Sequence, residues 1–343
     1  MTKTMKRWQI TAAGRENLKL VDASIPTPVS GEILIKVAAV SLNYRDKLLI
    51  DAGFGLPNPI KEPFVPMSDL SGAVVAIGDG VTRFAEGDRV ISTFIPDWIE
   101  GDGPGTARHP NGRTLGGPVA GVLAEYVILS EEWAVRGPDR LSHIEASTLP
   151  CAGLTAWTAL VERGNLKAGQ KVVVLGTGGV SLFGLQIALL HGAEVIVVSG
   201  DDDKLAKAKE LGAQHGINRK NVDWVETVYR ITNDHGADHI LETIGGAHLD
   251  KSLSAAAVTG RITLIGIFDG FSVSGSFVPF AVKRLVVEGV QVGHRKALED
   301  LVKAYDLSDT KPIIEAVYKM DDLNAALDHL DRGPFGKLVV EVG

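Results

Sequence analysis

The sequence predicts an α/β chain in which a doubly wound parallel sheet is inserted into an irregular, β-rich domain. Three observations predict it. Lys171–Gly200 reads strand, glycine turn, apolar helix and second strand without a break. From about residue 153 strand-like and helix-like stretches alternate, whereas residues 1–150 hold short strand-like runs with little helix between them. The last stretch changes pattern again and is expected to rejoin the first domain. The expected division is therefore 1–152 with 295–343, and 153–294.

In residues 1–150 the strand-like runs are Ile33–Val40, Ala73–Ile77, Arg89–Ser92 and Leu123–Leu129. Turn signals at Pro26-Thr-Pro28, Gly78-Asp-Gly80 and Glu86-Gly-Asp88 separate them, which suits a mostly antiparallel arrangement. Pro96–Gly117 is long and rich in Gly and Pro and reads as a loop. Ser142, with Glu145 three residues on, has the form of a capping box opening a helix.

Lys171–Leu175 is a β-branched apolar run too short for a helix, as for a strand buried on both faces. Gly176-Thr-Gly178-Gly179-Val180-Ser181 follows at once. Gly176 permits a tight turn, and Gly178 lets the backbone approach a pyrophosphate on the next helix's N-terminus. Val180–His191 is apolar nearly all round, Gly192 ends it, and Glu194–Val198 is the second strand. A glycine motif alone is weak, but a strand before it and a helix after it point to a dinucleotide. Beyond it the reading continues with helices at Asp201–Leu211, Trp224–Thr232 and Leu249–Ala257, and strands at Ala237–Glu242 and Arg261–Ile267. Strands separated by helices imply right-handed crossovers and a parallel sheet. Helices at Ala297–Tyr305 and Met320–Leu330 and a strand at Lys337–Glu341 close the chain.

The bulk properties exclude several classes. With 343 residues, 45 % hydrophobic and 22 % charged, the chain buries a large core. A net charge of −7 without a basic cluster argues against nucleic acid. The single cysteine, Cys151, rules out an intrachain disulfide and suits the reducing cytoplasm. No apolar run reaches the ~18–20 residues that span a bilayer, and the N-terminus lacks the apolar core of a signal peptide. A cytoplasmic protein acting on a small molecule, with no membrane and no nucleic-acid partner, is expected.

The order of these motifs resembles the medium-chain dehydrogenase/reductase superfamily. The resemblance runs through Ser41–Asp46 (SLNYRD), Gly78–Val90, Leu149–Trp157 (LPCAGLTAW), the GTGGVS unit and Phe335–Lys337 (FGK), and covers essentially the whole chain. The branch it resembles is the zinc-independent, quinone-oxidoreductase-like one. That implies a GroES-like catalytic domain split by a Rossmann domain, with the active site in the cleft between them. Zinc-dependent members place a Cys, a His-Glu pair and a second Cys or Asp around the metal. The matching positions here are Asn43, Ser68 with Asp69, and Cys151, and one thiolate does not make a zinc site. The structural-zinc lobe carries four cysteines, which this chain lacks. No metal is therefore expected; His109 and His143 read as surface or loop residues, and Cys151 as a small buried residue.

NAD-specific units carry an acid about 20 residues past the glycines, at the end of the second strand. Here that position is Ser199, followed by Gly200, and Lys204 and Arg219 resemble contacts to a 2′-phosphate. The Asp201–Asp203 run counts against a further negative charge, and its plain reading is helix capping. NADP(H) is expected, with NAD(H) as the alternative. The resemblance also implies cofactor contacts from Thr155, from Gly176, Gly178, Gly179, Val180 and Ser181, from the Thr243–Gly246 loop including Ile244, from the backbone of Ile265 and Ile267, and from Lys337. Ser181 replaces the motif's third glycine.

Without zinc, hydrogen-bond donors must polarise the acceptor oxygen. The resemblance places Asn43, Tyr44 and Arg45 at the substrate, Asn43 as donor. Tyr44 stands open between proton source and packing residue. Arg45 and Leu48 replace the Ser or Thr and the His of the family's proton relay, which is therefore absent. Asp46 reads as a structural acid, paired with Arg45 or a backbone N–H. Phe54, Phe94, Trp98 and Phe268 stand open between pocket and core. The implied reaction is hydride transfer to a quinone, an enone or another carbonyl. The alternatives are a zinc-free alcohol dehydrogenase or ketone reductase, and a cofactor-binding structural or redox-sensing protein with little turnover. A homodimer is implied, through the sheet edge spanning Arg261–Ile267 and Val286–Gly293.

Overall fold

The computed structural model describes residues 3–57, 59–60, 62–110 and 112–343. It divides into two units, Met1–Leu154 with Gly293–Gly343, and Thr155–Val292.

In the first unit seven strands run in the order Ile314–Lys319, Lys337–Glu341, Glu32–Ser41, Asp69–Ile77, Arg89–Ser92 and Ala134–Arg136, with Tyr126–Ser130 also paired to Glu32–Ser41. All the pairings are antiparallel except Ile314–Lys319 on Lys337–Glu341. Apolar side chains alternate inward along these strands, and Ile33, Ile35, Leu70, Val90 and Val340 are wholly buried. A separate antiparallel hairpin, Thr4–Ile10 on Leu18–Ser24, was not evident from the sequence pattern. Neither was the helix Tyr44–Ala52, which buries Asp46, Leu49 and Ile50 and ends at Gly53 in the left-handed region, φ 73°. The register of the final strand matters most for function. Val339 faces Ser41, and Leu42 N–H donates to Leu338 O at 3.0 Å, so Lys337 lies alongside Asn43.

The second unit holds a six-stranded, wholly parallel sheet ordered His215–Asn218, Glu194–Ser199, Lys171–Leu175, Ala237–Glu242, Ala256–Leu264 and Val286–Gly289. The order reverses beside Lys171–Leu175, the switch point at which open α/β sheets bind ligands. Its helices include Gly179–Leu190, Asp202–Glu210, Trp224–Ile231 and Leu249–Ala255. The fifth strand begins earlier than the RITLIGI run suggests, at Ala256, and ends at Leu264. Ile265 and Gly266 turn instead, both N–H groups donating to Glu242 O, at 2.9 and 3.0 Å.

Candidate active site and cofactor cradle

Asn43 lies two residues past the strand Glu32–Ser41 and caps the helix Tyr44–Ala52, its own N–H donating to Asp46 Oδ2 at 2.7 Å. That bond makes Asp46 the structural acid of its sequence reading. The Asn43 Oδ1 accepts from Lys337 Nζ at 2.6 Å, and the same ammonium donates to Leu42 O at 2.6 Å. Lys337 is only 4 % exposed and Asn43 8 %. Burial lowers the Lys337 pKa, while the charge of Asp69 opposes that fall. Asp69 is buried, accepting from Ser68 Oγ at 2.5 Å through one oxygen and from Cys151 N–H at 3.1 Å through the other. Burial pushes its carboxyl up, against the pull of Lys337. Burial likewise pushes the Asp46 carboxyl up to about 6, against the attraction of Arg45. Cys151 lies in a π-helical stretch, Leu149–Gly153, and burial and the Asp69 charge push its thiol up, away from a reactive thiolate. Residues 43, 68–69, 151 and 337 thus converge from four separate parts of the chain.

Two of the expected site side chains are engaged within the first unit. The Arg45 guanidinium is held by the chain itself. It donates to Leu115 O at 2.8 Å, Thr114 Oγ1 at 2.9 Å and Gly117 O at 3.3 Å, and stacks 4.8 Å from the Phe94 ring centroid. It is a clamp on the 114–117 turn, because a planar fork satisfies several carbonyls at once. Lys337 turns into the Asn43 cluster, because its strand register sets it beside that residue. Tyr44, the first residue of its helix, is partly exposed. His143 Nδ1 pairs with Ser71 Oγ at 2.8 Å, and His109 is exposed. Phe94 is buried, whereas Phe54 and Phe268 are exposed.

In the second unit the glycine turn has the geometry of a cradle. Gly176 adopts φ 80°, and a Cβ added at Gly178, which caps the twelve-residue helix Gly179–Leu190, meets no atom within 4 Å. Space beside a helix N-terminus with unpaired N–H groups suits a pyrophosphate. Ser181 is buried and donates from Oγ to Leu175 O at 2.7 Å, tying the helix to its strand. Close packing falls instead to Gly184, where a Cβ would lie 2.4 Å from Leu241 Cδ1. Val180 is partly exposed beside these residues, and Thr155 is buried in the short helix Leu154–Trp157.

Ser199 ends the second strand, and the Arg219 N–H donates to its carbonyl at 2.9 Å. Gly200 follows, packed by Lys220, whose Cε would lie 3.0 Å from a Cβ there. Lys204 stands in the first turn of the next helix, its N–H donating to Asp201 Oδ1 at 3.0 Å. Asp201 is thus a helix cap, and Asp202 accepts from Asn218 Nδ2 at 2.7 Å. Lys220 was missed from sequence; a basic pair just past the third strand is its only local signal.

The Thr243–Gly246 loop is pinned by Glu242, a wholly buried residue that sequence reasoning passed over. Its carboxylate accepts from Ile244 N–H at 2.9 Å, Gly245 N–H at 3.1 Å, His248 Nδ1 at 2.9 Å and Ser252 Oγ at 2.5 Å. Burial opposes its charge, but the bonds to His248 and Ser252 hold the carboxyl below the usual range. The Ile265 N–H is engaged with Glu242 O and is not available as a donor, while Ile265 and Ile267 are both partly exposed.

These features can be set beside known proteins. Residues 29–139 match the alcohol dehydrogenase GroES-like domain, and residues 179–307 match the family described as zinc-binding dehydrogenase. A zinc-type alcohol dehydrogenase-like protein of Schizosaccharomyces pombe is 35 % identical over 339 residues, covering 96 % of each chain. The chain belongs to the medium-chain dehydrogenase/reductase superfamily. A solved structure titled a putative alcohol dehydrogenase, from Sinorhizobium meliloti, superposes on this superfamily member with a TM-score of 0.96 at 56 % identity, over 100 % of both chains. Human quinone oxidoreductase is 28 % identical over 255 residues, 74 % of this chain and 70 % of that one. Like those relatives, this member of the superfamily is an oxidoreductase. The doubly wound sheet and the GroES-like domain expected from sequence are both present.

Proposed function

We propose that the chain is a zinc-independent, NADP(H)-dependent oxidoreductase that transfers hydride to a quinone, an enone or another carbonyl compound. The donor set around Asn43 carries this reading. A structural or catalytic zinc takes about three or four protein donors. Here the amide oxygen is bound to an ammonium, the Ser68 hydroxyl is bound to Asp69, and Cys151 is the chain's one thiol. Among the described residues no group of three or more His, Cys, Asp and Glu is placed to hold a metal ion. Those residues do not fit zinc, so oxygen activation falls to hydrogen bonds. Conjugated acceptors need less of it than simple alcohols do.

The cradle residues fit a dinucleotide: Gly176 to Ser181 would hold the pyrophosphate and the Glu242-pinned loop would border the ribose. Ser199 and Gly200 carry no acid to repel a 2′-phosphate; Lys220 packs against Gly200, the Arg219 N–H bonds Ser199 O, and Lys204 stands in the first turn of the next helix. When bound, the reduced nicotinamide supplies a hydride, one hydrogen with two electrons. As the new C–H bond forms, the acceptor's π pair moves onto its oxygen, toward which Asn43 donates. A proton from the Tyr44 hydroxyl or solvent then completes the reduction.

The reading includes a homodimer. The strand Val286–Gly289 is a sheet edge, and beside it in sequence Phe271, Phe277, Val278 and Val282 are each about 70 % exposed. Exposed apolar side chains close in sequence to a sheet edge fit an association site. Cytoplasmic residence rests on the single cysteine; among the described residues no helix is long and apolar enough to cross a membrane.

The similarity to alcohol dehydrogenases favours a second reading, a zinc-free alcohol dehydrogenase or ketone reductase using either cofactor. One experiment separates the two. Chelator-treated protein is assayed with NADPH and NADH against quinones, enones and ketones, and with both oxidised cofactors against alcohols. We expect chelator-resistant NADPH oxidation with the conjugated acceptors, and a shift toward NADH in Ser199→Asp. Tenfold preference for NADH, or activity lost on chelation and restored by zinc, overturns the proposal. Tight NADPH binding with no turnover favours a binding protein.

A further inference from the structure

Lys337 raises a question that the cradle does not answer. Burying an ammonium is costly, and an apolar residue at the start of a strand would be cheaper. Yet this one is 4 % exposed and gripped by two oxygens at 2.6 Å. The charged or ionisable groups that face it are Asp69, Cys151 and Asp46, all in the same cluster.

The consequence falls on Asn43. A primary amide has one acceptor oxygen and two N–H donors, and a buried amide can sit either way round. A cation at 2.6 Å admits only the oxygen, so the amide is locked with Nδ2 on the other side. There Nδ2 is buried and makes no hydrogen bond of ordinary geometry. The neighbouring Asp69 carboxylate accepts from Ser68 Oγ and Cys151 N–H and is stabilised further by the Asn43 amide beside it. The Asn43 backbone is held independently by Asp46. Drawing electron density toward Oδ1 also makes the N–H groups stronger donors, since linked hydrogen bonds polarise one another.

We infer that Lys337 is a positioning residue for the reduction, its ammonium taking the place of a metal ion's charge and acting through the Asn43 amide. The inference rests on the proposed role of Asn43 as donor to the acceptor oxygen. It explains why the residues that replace metal ligands still enclose a positive charge: the charge is covalently part of the chain. A preorganised donor of this type stabilises developing oxygen charge without reorganising during the reaction.

The test is a double-mutant cycle on Lys337→Met, Asn43→Ala and the pair, read as kcat, acceptor KM and NADPH Kd with the best acceptor found for the wild type. We expect Lys337→Met to lower kcat by about 30-fold or more, with NADPH Kd changed less than about threefold. The double variant should be no slower than Asn43→Ala alone within about threefold, because both changes remove one unit. Asn43→Asp keeps an oxygen for the ammonium and loses the donor, so it should fold and match Asn43→Ala; it carries the test if Lys337→Met does not fold. Multiplying effects in the cycle, a tenfold loss of NADPH affinity with kcat unchanged, or full activity in Asn43→Asp would overturn the inference. Wild-type protein that oxidises no NADPH with any acceptor removes instead the functional reading beneath it.

Discussion

Replacing Glu242 by alanine should separate the cradle's loop from its support, and the structure lets the cost be worked out. Four donors converge on this carboxylate: the Ile244 and Gly245 N–H groups, His248 Nδ1 and Ser252 Oγ. Alanine leaves all four without that acceptor. Ser252 is wholly buried, as is Glu242, and His248 is largely covered by its stack on Trp224, with ring centroids 5.7 Å apart and planes 9° from parallel. Each unsatisfied buried group costs about 1–3 kcal/mol, and partial relaxation brings the sum to about 4 kcal/mol. Glutamine keeps one carbonyl oxygen for the two backbone N–H groups. Its NH2 then faces Ser252 and His248, which accept by rotating a hydroxyl and exchanging a tautomer, so about 1–2 kcal/mol is expected. Urea unfolding followed by tryptophan fluorescence, to which Trp224 contributes from the site itself, reads both values. With an m-value of ~2 kcal/mol/M, alanine should lower the midpoint by about 2 M and glutamine by less than about 1 M. The sign with pH follows from the depressed carboxyl. A group whose folded pKa lies below its unfolded one stabilises above the unfolded value, and that contribution is lost as pH falls through the folded one. The gap between wild type and Glu242→Gln should therefore be full at neutral pH and close on acidification below the ordinary glutamate range. Equal midpoints for the two variants, or a gap that widens in acid, would refute this account of the loop.

Four further outcomes test other parts of the molecule. Gly178→Ala meets no atom of the chain, so its melting temperature should match the wild type while NADPH Kd by titration calorimetry rises about tenfold or more. Gly184→Ala should do the reverse, losing about 1–3 kcal/mol in urea unfolding because its Cβ would lie 2.4 Å from Leu241 Cδ1. Arg45→Met should destabilise the first unit by about 1–3 kcal/mol through the freed 114–117 carbonyls, and limited proteolysis should place the new cut sites in that turn. Phe277→Asp with Val282→Asp should convert a dimer to monomer in light scattering at micromolar concentration; a wild-type monomer there would refute the edge-strand association.

The sequence by itself determined what short-range chemistry decides. Alternating and continuous apolar runs marked Lys171–Leu175, Ala237–Glu242 and Lys337–Glu341 with the ends the structure shows. Ser142 and Glu145 announced their capping box, and the Asp201–Asp203 run its capped helix. Each of these signals lies within a few residues of the structure it produces. The helix Tyr44–Ala52 escaped because it is a short nine-residue segment whose large aliphatic residues, Leu48, Leu49 and Ile50, are consecutive rather than spread along one face. What tertiary structure alone decided is which distant side chains share an environment. Lys337 meets Asn43 across 294 positions because the last strand pairs with Glu32–Ser41 in one register. A one-residue slip would turn that ammonium to the other face of the sheet. Arg45 became a clamp for the same kind of reason, since the 114–117 turn folds back against it from about 70 residues away. Local pattern records propensity and hydrophobic period, whereas the partner of a buried charge is set by strand register and packing, on which adjacent residues carry no information.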